Sequence, residues 1–429
     1  MLRHSVRLIF LMLIISRALA SEVAPPIYLL TVADVINPVS GEYIIEGLKV
    51  AIQDQAQALI IQLDTPGGLD KSMRLIIKEM LNSPLPIIVY VSPSGSRAAS
   101  AGTFITLAAH VAAMAPGTNM GAAHPVTVGA GEVGKDMAEK ITNDAAAYIK
   151  SIAEQRGRNT EWAEKAVRES VSASETEALQ LKLIDLVAVD LPDLLTKLHG
   201  RKVTTVGGER LLATAGVQVR RIEMNFRQRL LSLIADPNVA YMLLMLGAIG
   251  IFFEVSTPGV ILPGVIGSIS VLLGLYAMQL LPVNYAGLAL LALAIILFIA
   301  ETQVVSYGAL TIGGIIAMLM GSLMLFDAPP PLPQLSLWVA LPVTLVVGGF
   351  FAFLLAAAVR TYALPPHSGR EGLVHKVGTA QTAIDNKGGK VFVEGELWNA
   401  HSEQPIGKGD EVEVVGLQGM TLLVTKKGG

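Results

Sequence analysis

The stretch Ser92-Pro93-Ser94-Gly95-Ser96-Arg97-Ala98-Ala99-Ser100-Ala101-Gly102-Thr103 decides how this chain is read. Pro86-Ile87-Ile88-Val89-Tyr90-Val91 enters it as an unbroken apolar run, the pattern of a strand buried on both faces. Phe104-Ile105-Thr106-Leu107-Ala108-Ala109 leaves it as a buried helix. A serine at such a strand–turn–helix junction, packed among Ala and Gly, presents its hydroxyl at a helix N-terminus. There the free backbone N–H groups and the positive dipole end favour developing negative charge, the setting a serine acyl-transfer site requires. A plain helix N-cap uses the same residue type at the same position, so the junction alone leaves Ser100 open between the two roles.

Outward from this junction the pattern is regular. Upstream lie a strand at 27–32, a helix over 41–55, a strand at 58–63 and a helix over 69–82. Downstream lie a strand at 111–115, helices over 140–155 and 161–169, and a short strand at 183–189. Strands alternating with helices imply parallel pairing in a layered α/β domain. Asp64-Thr65-Pro66-Gly67-Gly68 ends the second strand. Its two glycines serve either as a tight turn or as a bare N–H offered to a substrate carbonyl. In a parallel sheet this turn and the Ser100 junction share one edge, the edge where ligands bind.

Composition sets the surroundings. The 429 residues are 52% hydrophobic with only 5% aromatic, an aliphatic load typical of membrane helices. A net charge of −3 gives no electrostatic case for nucleic acid. The chain has no cysteine, which excludes disulfides, a thiol nucleophile and cysteine-held metals. No cofactor and no metal site is expected. Met1–Ala20 has a basic start, an apolar run and Ala18-Leu19-Ala20, and reads as a secretory signal peptide over 1–20. A soluble domain over 21–230 follows, expected on the exported side and self-associating.

Residues 231–360 read as a membrane domain of four or five helices, from the nearly charge-free runs 239–253, 260–281, 285–300, 307–326 and 335–359. The second, fourth and fifth reach the roughly 20 residues of a span, and the first and third fall short. Five spans place the C-terminus in the cytoplasm; four leave it outside. Glu254–Gly259 reads as a tight hairpin or re-entrant piece, with Glu254 and Glu301 at segment ends. Arg220–Leu231 mixes arginines with apolar residues and suits a membrane surface. Residues 370–429 carry short alternating strands at 377–384, 390–396, 411–415 and 421–425, a small β-barrel pattern. Trp398 suits either its core or a stacking platform.

Thr65-Pro66-Gly67-Gly68, Ala98-Ala99-Ser100-Ala101-Gly102-Thr103, Met114-Ala115-Pro116-Gly117-Thr118 and Gly121-Ala122-Ala123-His124-Pro125 together resemble the NfeD family of membrane-bound serine proteases, in the Clp-protease and crotonase superfamily. The resemblance continues through Asn238–Tyr241, Glu254, Pro258-Gly259 and Pro263-Gly264 to Gly395–Ala400. It implies a ClpP/crotonase-like α/β domain, a multi-span helical membrane domain and an OB-fold at the C-terminus. It further implies a Ser-Lys dyad, with Ser100 at the serine position and Lys140 at the lysine position, and an oxyanion hole from the N–H groups of Gly68 and Ala101.

A lysine takes a serine proton only when neutral, a state that burial favours, and Ala138, Ile141 and Ala145–Ala147 are expected to supply apolar cover. His124 is the rival base, at a position similar to the histidine of soluble Clp proteases. The function implied is an endopeptidase of the cell membrane, cutting hydrophobic segments of membrane-associated, stomatin-like proteins. Two other classes stand beside it. One is an inactive scaffold working in the bilayer with a stomatin- or flotillin-like partner; the other is a crotonase-type acyl-CoA enzyme, which export disfavours.

Overall fold

The computed structural model describes residues 25–126, 134–257, 259–281, 283–301, 304, 306–326, 334–362 and 370–427. The leader expected over 1–20 lies outside these residues. The chain divides into two units, one of 1–304 and 309–347 and one of 305–308 and 348–429.

The first unit begins with a six-stranded parallel sheet. Its elements are β1 (Ile27–Val32), α1 (Pro38–Gln53), β2 (Ala58–Leu63), α2 (Asp70–Leu81), β3 (Ile87–Val91), β4 (Arg97–Ala98), α3 (Ala101–Ala108), β5 (Val111–Met114), β6 (Asn119–Gly121), α4 (Lys135–Gln155), α5 (Thr160–Arg168), β7 (Ser172–Ser174), α6 (Glu175–Gln180), β8 (Leu186–Val187), α7 (Leu191–Leu198), β9 (Lys202–Thr205), β10 (Gly208–Leu211) and β11 (Val219–Arg221). The strand order is β11-β1-β2-β3-β5-β8.

Alternation within each strand fills both faces. Leu30, Ile61, Val89 and Met114 join the larger core with α1 to α5. Leu29, Ile60, Ile88 and Ala113 join a second core with Leu194 and Leu198 of α7. A sheet covered on both sides is the usual condition for parallel strands, and it explains why β3 is buried at every position. A small second sheet, β4-β6-β7, stands on the edge carrying the Ser100 junction.

Two expectations change here. The last strand shrinks to Leu186–Val187, where it pairs with β5 only at Ala113 and Met114. The arginine-rich stretch is no free surface helix: Val219–Arg221 extends the sheet beside β1, and only Phe226–Ile234 is helical, as α8.

The apolar helices follow as α9 (Pro237–Ser256), α10 (Ile261–Met278), α11 (Tyr285–Glu301), α12 (Ala309–Leu325) and α13 (Leu337–Tyr362). Those long and apolar enough to cross a membrane, among the described residues, are α9, α10 and the Leu337–Leu354 part of α13. The first run thus gains length rather than the fourth. Asp236 caps α9 through the N–H groups of Asn238 and Val239, adding Pro237 and Asn238 at one end, while Glu254 continues the helix at the other. The turn between α9 and α10 is correspondingly shorter than expected.

The α9–α10 and α11–α12 pairs pack closely through small residues. A Cβ on Gly250 would come within 2.5 Å of the Pro263 carbonyl oxygen. Glu301 is buried and accepts the Thr311 N–H at 2.8 Å, so it serves the first turn of α12.

The second unit contains a closed five-stranded barrel, β12 (Val377–Ala380), β13 (Gly389–Val393), β14 (Glu396–His401), β15 (Glu411–Gln418) and β16 (Thr421–Lys426), ordered β12-β13-β14-β16-β15. Four strands are expected from the sequence pattern. The fifth, β14, carries Trp398, which packs half-buried against the barrel core.

Candidate active site

Three backbone segments meet at Ser100. The turn after β2 lies beside it so closely that a Cβ on Gly67 would sit 2.7 Å from the Ser100 Cβ. Gly67 has φ of 126°, a conformation that side chains rarely tolerate. From the third segment, Ala122 accepts the Ser100 N–H at 2.7 Å. Ser100 has φ 48° and ψ −116°, a sparsely populated region for a residue with a Cβ. Its side chain makes no cap bond to α3, so the N-cap role is not the one it plays.

Two N–H groups remain open beside the hydroxyl among the described residues. Ile36 donates to the Gly67 carbonyl at 2.7 Å and accepts from Leu69 at 2.8 Å. That pattern brackets Gly68 and leaves its own N–H without an acceptor. Ala101 is the first residue of α3, where an N–H has no intrahelical partner. Such a pair beside a serine suits a tetrahedral oxyanion. Thr103 fixes the arrangement from below: fully buried, it donates to the Ala98 carbonyl at 2.8 Å and accepts from Gly121 at 3.1 Å. Sequence reading passed over Thr103, although its place in Ala101-Gly102-Thr103 was in view.

Lys140 stands in the first half of α4. This helix runs in the same direction as α3, because Tyr148 stacks on Phe104 with ring centroids 6.1 Å apart and Arg156 reaches the Ala108 carbonyl at 2.8 Å. Two turns back from Tyr148, about 12 Å along the axis, Lys140 lies toward the end of α3 that carries Ser100. The expected apolar cover is missing. Lys140 and Ala138 are exposed and Ile141 is half-buried, because α4 buries its core face only from Ala145 onward. Lys140 makes no hydrogen bond or ion pair among the described residues.

His124 is exposed, and its Nδ1 lies 2.7 Å from the Val167 carbonyl oxygen. The neighbouring Arg168 donates to Asn143 of α4 at 2.7 Å, which gathers His124 and the start of α4 on one side of the junction. Neither His124 nor Lys140 is hydrogen-bonded to Ser100, and no carboxylate pairs with His124, among the described residues. None of these residues groups as a metal site within the same limits.

Residues 26–194 match the NfeD1b N-terminal domain, 238–357 the NfeD integral membrane domain and 370–426 the NfeD-like C-terminal, partner-binding domain. Membrane-bound protease PH1510 of Pyrococcus horikoshii is 37% identical over 393 residues, covering 89% of this chain and 88% of that one.

The chain belongs to the NfeD family of membrane-bound peptidases.

Membrane protein NfeD1b of Bacillus subtilis is 25% identical over 420 residues, covering 93% of this chain and 92% of that one. Among solved structures, the 1510-N membrane-bound stomatin-specific protease is similar as a lysine-to-alanine mutant in complex with a substrate peptide. That likeness has 36% identity and a TM-score of 0.46, and covers 49% of this chain and 98% of the other. A serine-to-alanine mutant of the same protease has 36% identity and a TM-score of 0.44, covering 47% and 99%.

Proposed function

We propose that this NfeD peptidase is a membrane-anchored serine endopeptidase with Ser100 as nucleophile, Lys140 as general base, and the Gly68 and Ala101 N–H groups as its oxyanion hole. The observation that carries the reading is the strained, uncapped Ser100 set against two open backbone donors. In this scheme neutral Lys140 takes the hydroxyl proton as Oγ attacks the scissile carbonyl. The two N–H groups hold the oxyanion, the amine leaves with the proton, and water then releases the acyl group. Because Lys140 is exposed in the free chain, the bound substrate completes its surroundings by excluding water.

The substrate class is the apolar segment of a membrane-associated, stomatin-like protein, in keeping with the relative named as stomatin-specific. A stomatin- or flotillin-like protein is the partner proposed for the C-terminal domain, whose family is described as partner-binding. The proposed layout is a leader over 1–20, a self-associating protease domain over 21–230 on the exported side, a bilayer-embedded domain over 231–360 and an OB-fold over 370–429.

His124 keeps one observation in its favour. If Nδ1 donates to the Val167 carbonyl, the ring is oriented without a carboxylate and Nε2 is left as an acceptor. Cleavage of one apolar peptide by both variants separates the two bases. Lys140→Ala is expected to lose about 10²- to 10⁴-fold in kcat with an unchanged circular dichroism spectrum, and His124→Ala to change rates modestly. Near-normal turnover in Lys140→Ala with a dead His124→Ala would transfer the role to His124.

A further inference from the structure

A cavity of about 280 Å³ lies against Gly68. One wall is Val35, Gly68 and Leu69, the segment in which Ile36 pairs on either side of the open Gly68 N–H. The opposite wall is Pro237, at the start of α9, with Leu280 and Leu281, which follow α10. Since α9 and α10 form an antiparallel hairpin, the start of the one and the end of the other come to the same side. The cavity therefore joins the edge of the parallel sheet to that end of the first membrane hairpin.

The chemistry of the lining selects its occupant. Three carboxylates border the space, and each is already engaged. Asp236 caps α9 through Asn238 and Val239. Asp70 holds Arg74 at 2.8 Å. Asp34 accepts the Val35 N–H at 2.7 Å. What remains is mostly apolar surface with the Ser232 hydroxyl, and the Gly68 backbone forms part of the wall. The volume is below the roughly 300–1,000 Å³ of ordinary small-molecule pockets and admits a side chain with a little backbone, not a folded element.

We infer that Leu280 and Leu281 form one wall of the substrate site and seat an apolar side chain of the peptide next to the scissile bond. This rests on the peptidase reading of Ser100 and adds to it a specificity pocket shared between the protease domain and the membrane hairpin. A peptide carbonyl accepting from Gly68 N–H brings the neighbouring side chain to this cavity. The pocket is completed by leucines at the end of a membrane helix, so apolar residues are read at the place where a membrane-embedded segment emerges.

The test uses the full-length protein in detergent and a peptide series in which each residue flanking the scissile bond is in turn Ala, Val, Leu or Phe. Wild type should favour Leu or Phe over Ala at one flank by about tenfold or more in kcat/KM. Leu281→Trp, which fills the cavity, should lose at least tenfold more on those large residues than on the Ala peptide. Leu280→Ala, which widens it, should shift preference toward Phe. A small fluorophosphonate, which needs no side-chain pocket, should label Ser100 equally in all three proteins. Equal labelling with an unchanged Ala/Leu/Phe ratio in both variants would overturn the inference while sparing the peptidase reading. Absence of Ser100 labelling in wild type would remove the peptidase reading and the pocket with it.

Discussion

Among the described residues, the N-terminal end of α3 leaves Ser100 without a cap bond and the Ala101 N–H without an acceptor. At its C-terminal end, eight residues on, the Leu107, Ala108 and Ala109 carbonyls are taken by arginines. Arg158 donates to Leu107 at 3.1 Å and to Ala109 at 3.1 Å, and Arg156 donates to Ala108 at 2.8 Å. Arg158 also reaches the Leu183 carbonyl at 2.7 Å and the Asp185 carboxylate at 3.0 Å, and Asp185 in turn accepts the Ala112 N–H at 2.8 Å.

The same short helix therefore has one end with unused donors and one end closed by a buried and a half-buried arginine. The difference separates chemistry from stability. Open donors cost little where water or substrate reaches them, whereas buried carbonyls and a half-buried carboxylate beside a buried cation need partners. The firm end holds the helix so that the open end keeps its geometry.

Breaking the closed end should produce the largest change in stability. Arg158 is 7% exposed, and burial holds its guanidinium below the usual arginine range while Asp185 opposes that shift. Arg158→Met removes the cation and leaves Asp185 and three carbonyls short of donors. A loss of about 3–5 kcal/mol is expected, read as a lower denaturation midpoint. The protein that remains folded should still label at Ser100. A stability change under 1 kcal/mol would mean that the closed end is not where the domain is held.

Disturbing the open end should act on rate before stability. Gly67→Ala drives a Cβ to within 2.7 Å of the Ser100 Cβ at a backbone position with φ of 126°. Displacing the hydroxyl by a fraction of an ångström to an ångström is expected to lower kcat about 10²-fold. Denaturation should move less than in Arg158→Met. An equally large loss of stability would blur the contrast between the two ends.

The smallest effect concerns His110, which follows the closed end. Its Nδ1 accepts the Ile87 N–H at 3.2 Å. Burial, with a contribution from Arg156, pushes its pKa down to about 3. An unfolded histidine takes up a proton below about 6.5, and the folded one does not until near 3. Unfolding therefore binds a proton in that window, and stability falls as pH drops through it. His110→Gln, which keeps an acceptor for Ile87, should flatten the fall in melting temperature between pH 6.5 and 4. An unchanged slope would assign the acid sensitivity to other groups.

How much of this was legible in the sequence differs between the ends. Small residues in Thr65–Gly68 and Ala98–Thr103 announce close backbone approach, so the open end could be read locally. The closed end could not. Arg158 follows an ordinary helix and a glycine, and nothing nearby signals that it will cap a helix some 50 positions earlier. The exposure of Lys140 escaped for a related reason. Ala138 and Ile141 look like apolar cover, but cover depends on where the core ends along α4, and it ends near Ala145. Strand β14 was missed because Glu396–His401 sits in the barrel with only Ala400 fully inward, a pattern too sparse to read as alternation. Strand β11 hid among arginines because it is a three-residue edge strand.

The central claim is that the open end of α3 makes Ser100 an acylated nucleophile. The most direct measurement is covalent labelling of the full-length protein by a fluorophosphonate, with the modified residue located by peptide mass spectrometry. The account predicts a single adduct on Ser100 in wild type. It predicts none in Ser100→Ala, whose melting temperature should match wild type because no cap bond is lost. An adduct of undiminished yield in Ser100→Ala, on any other residue, would contradict it.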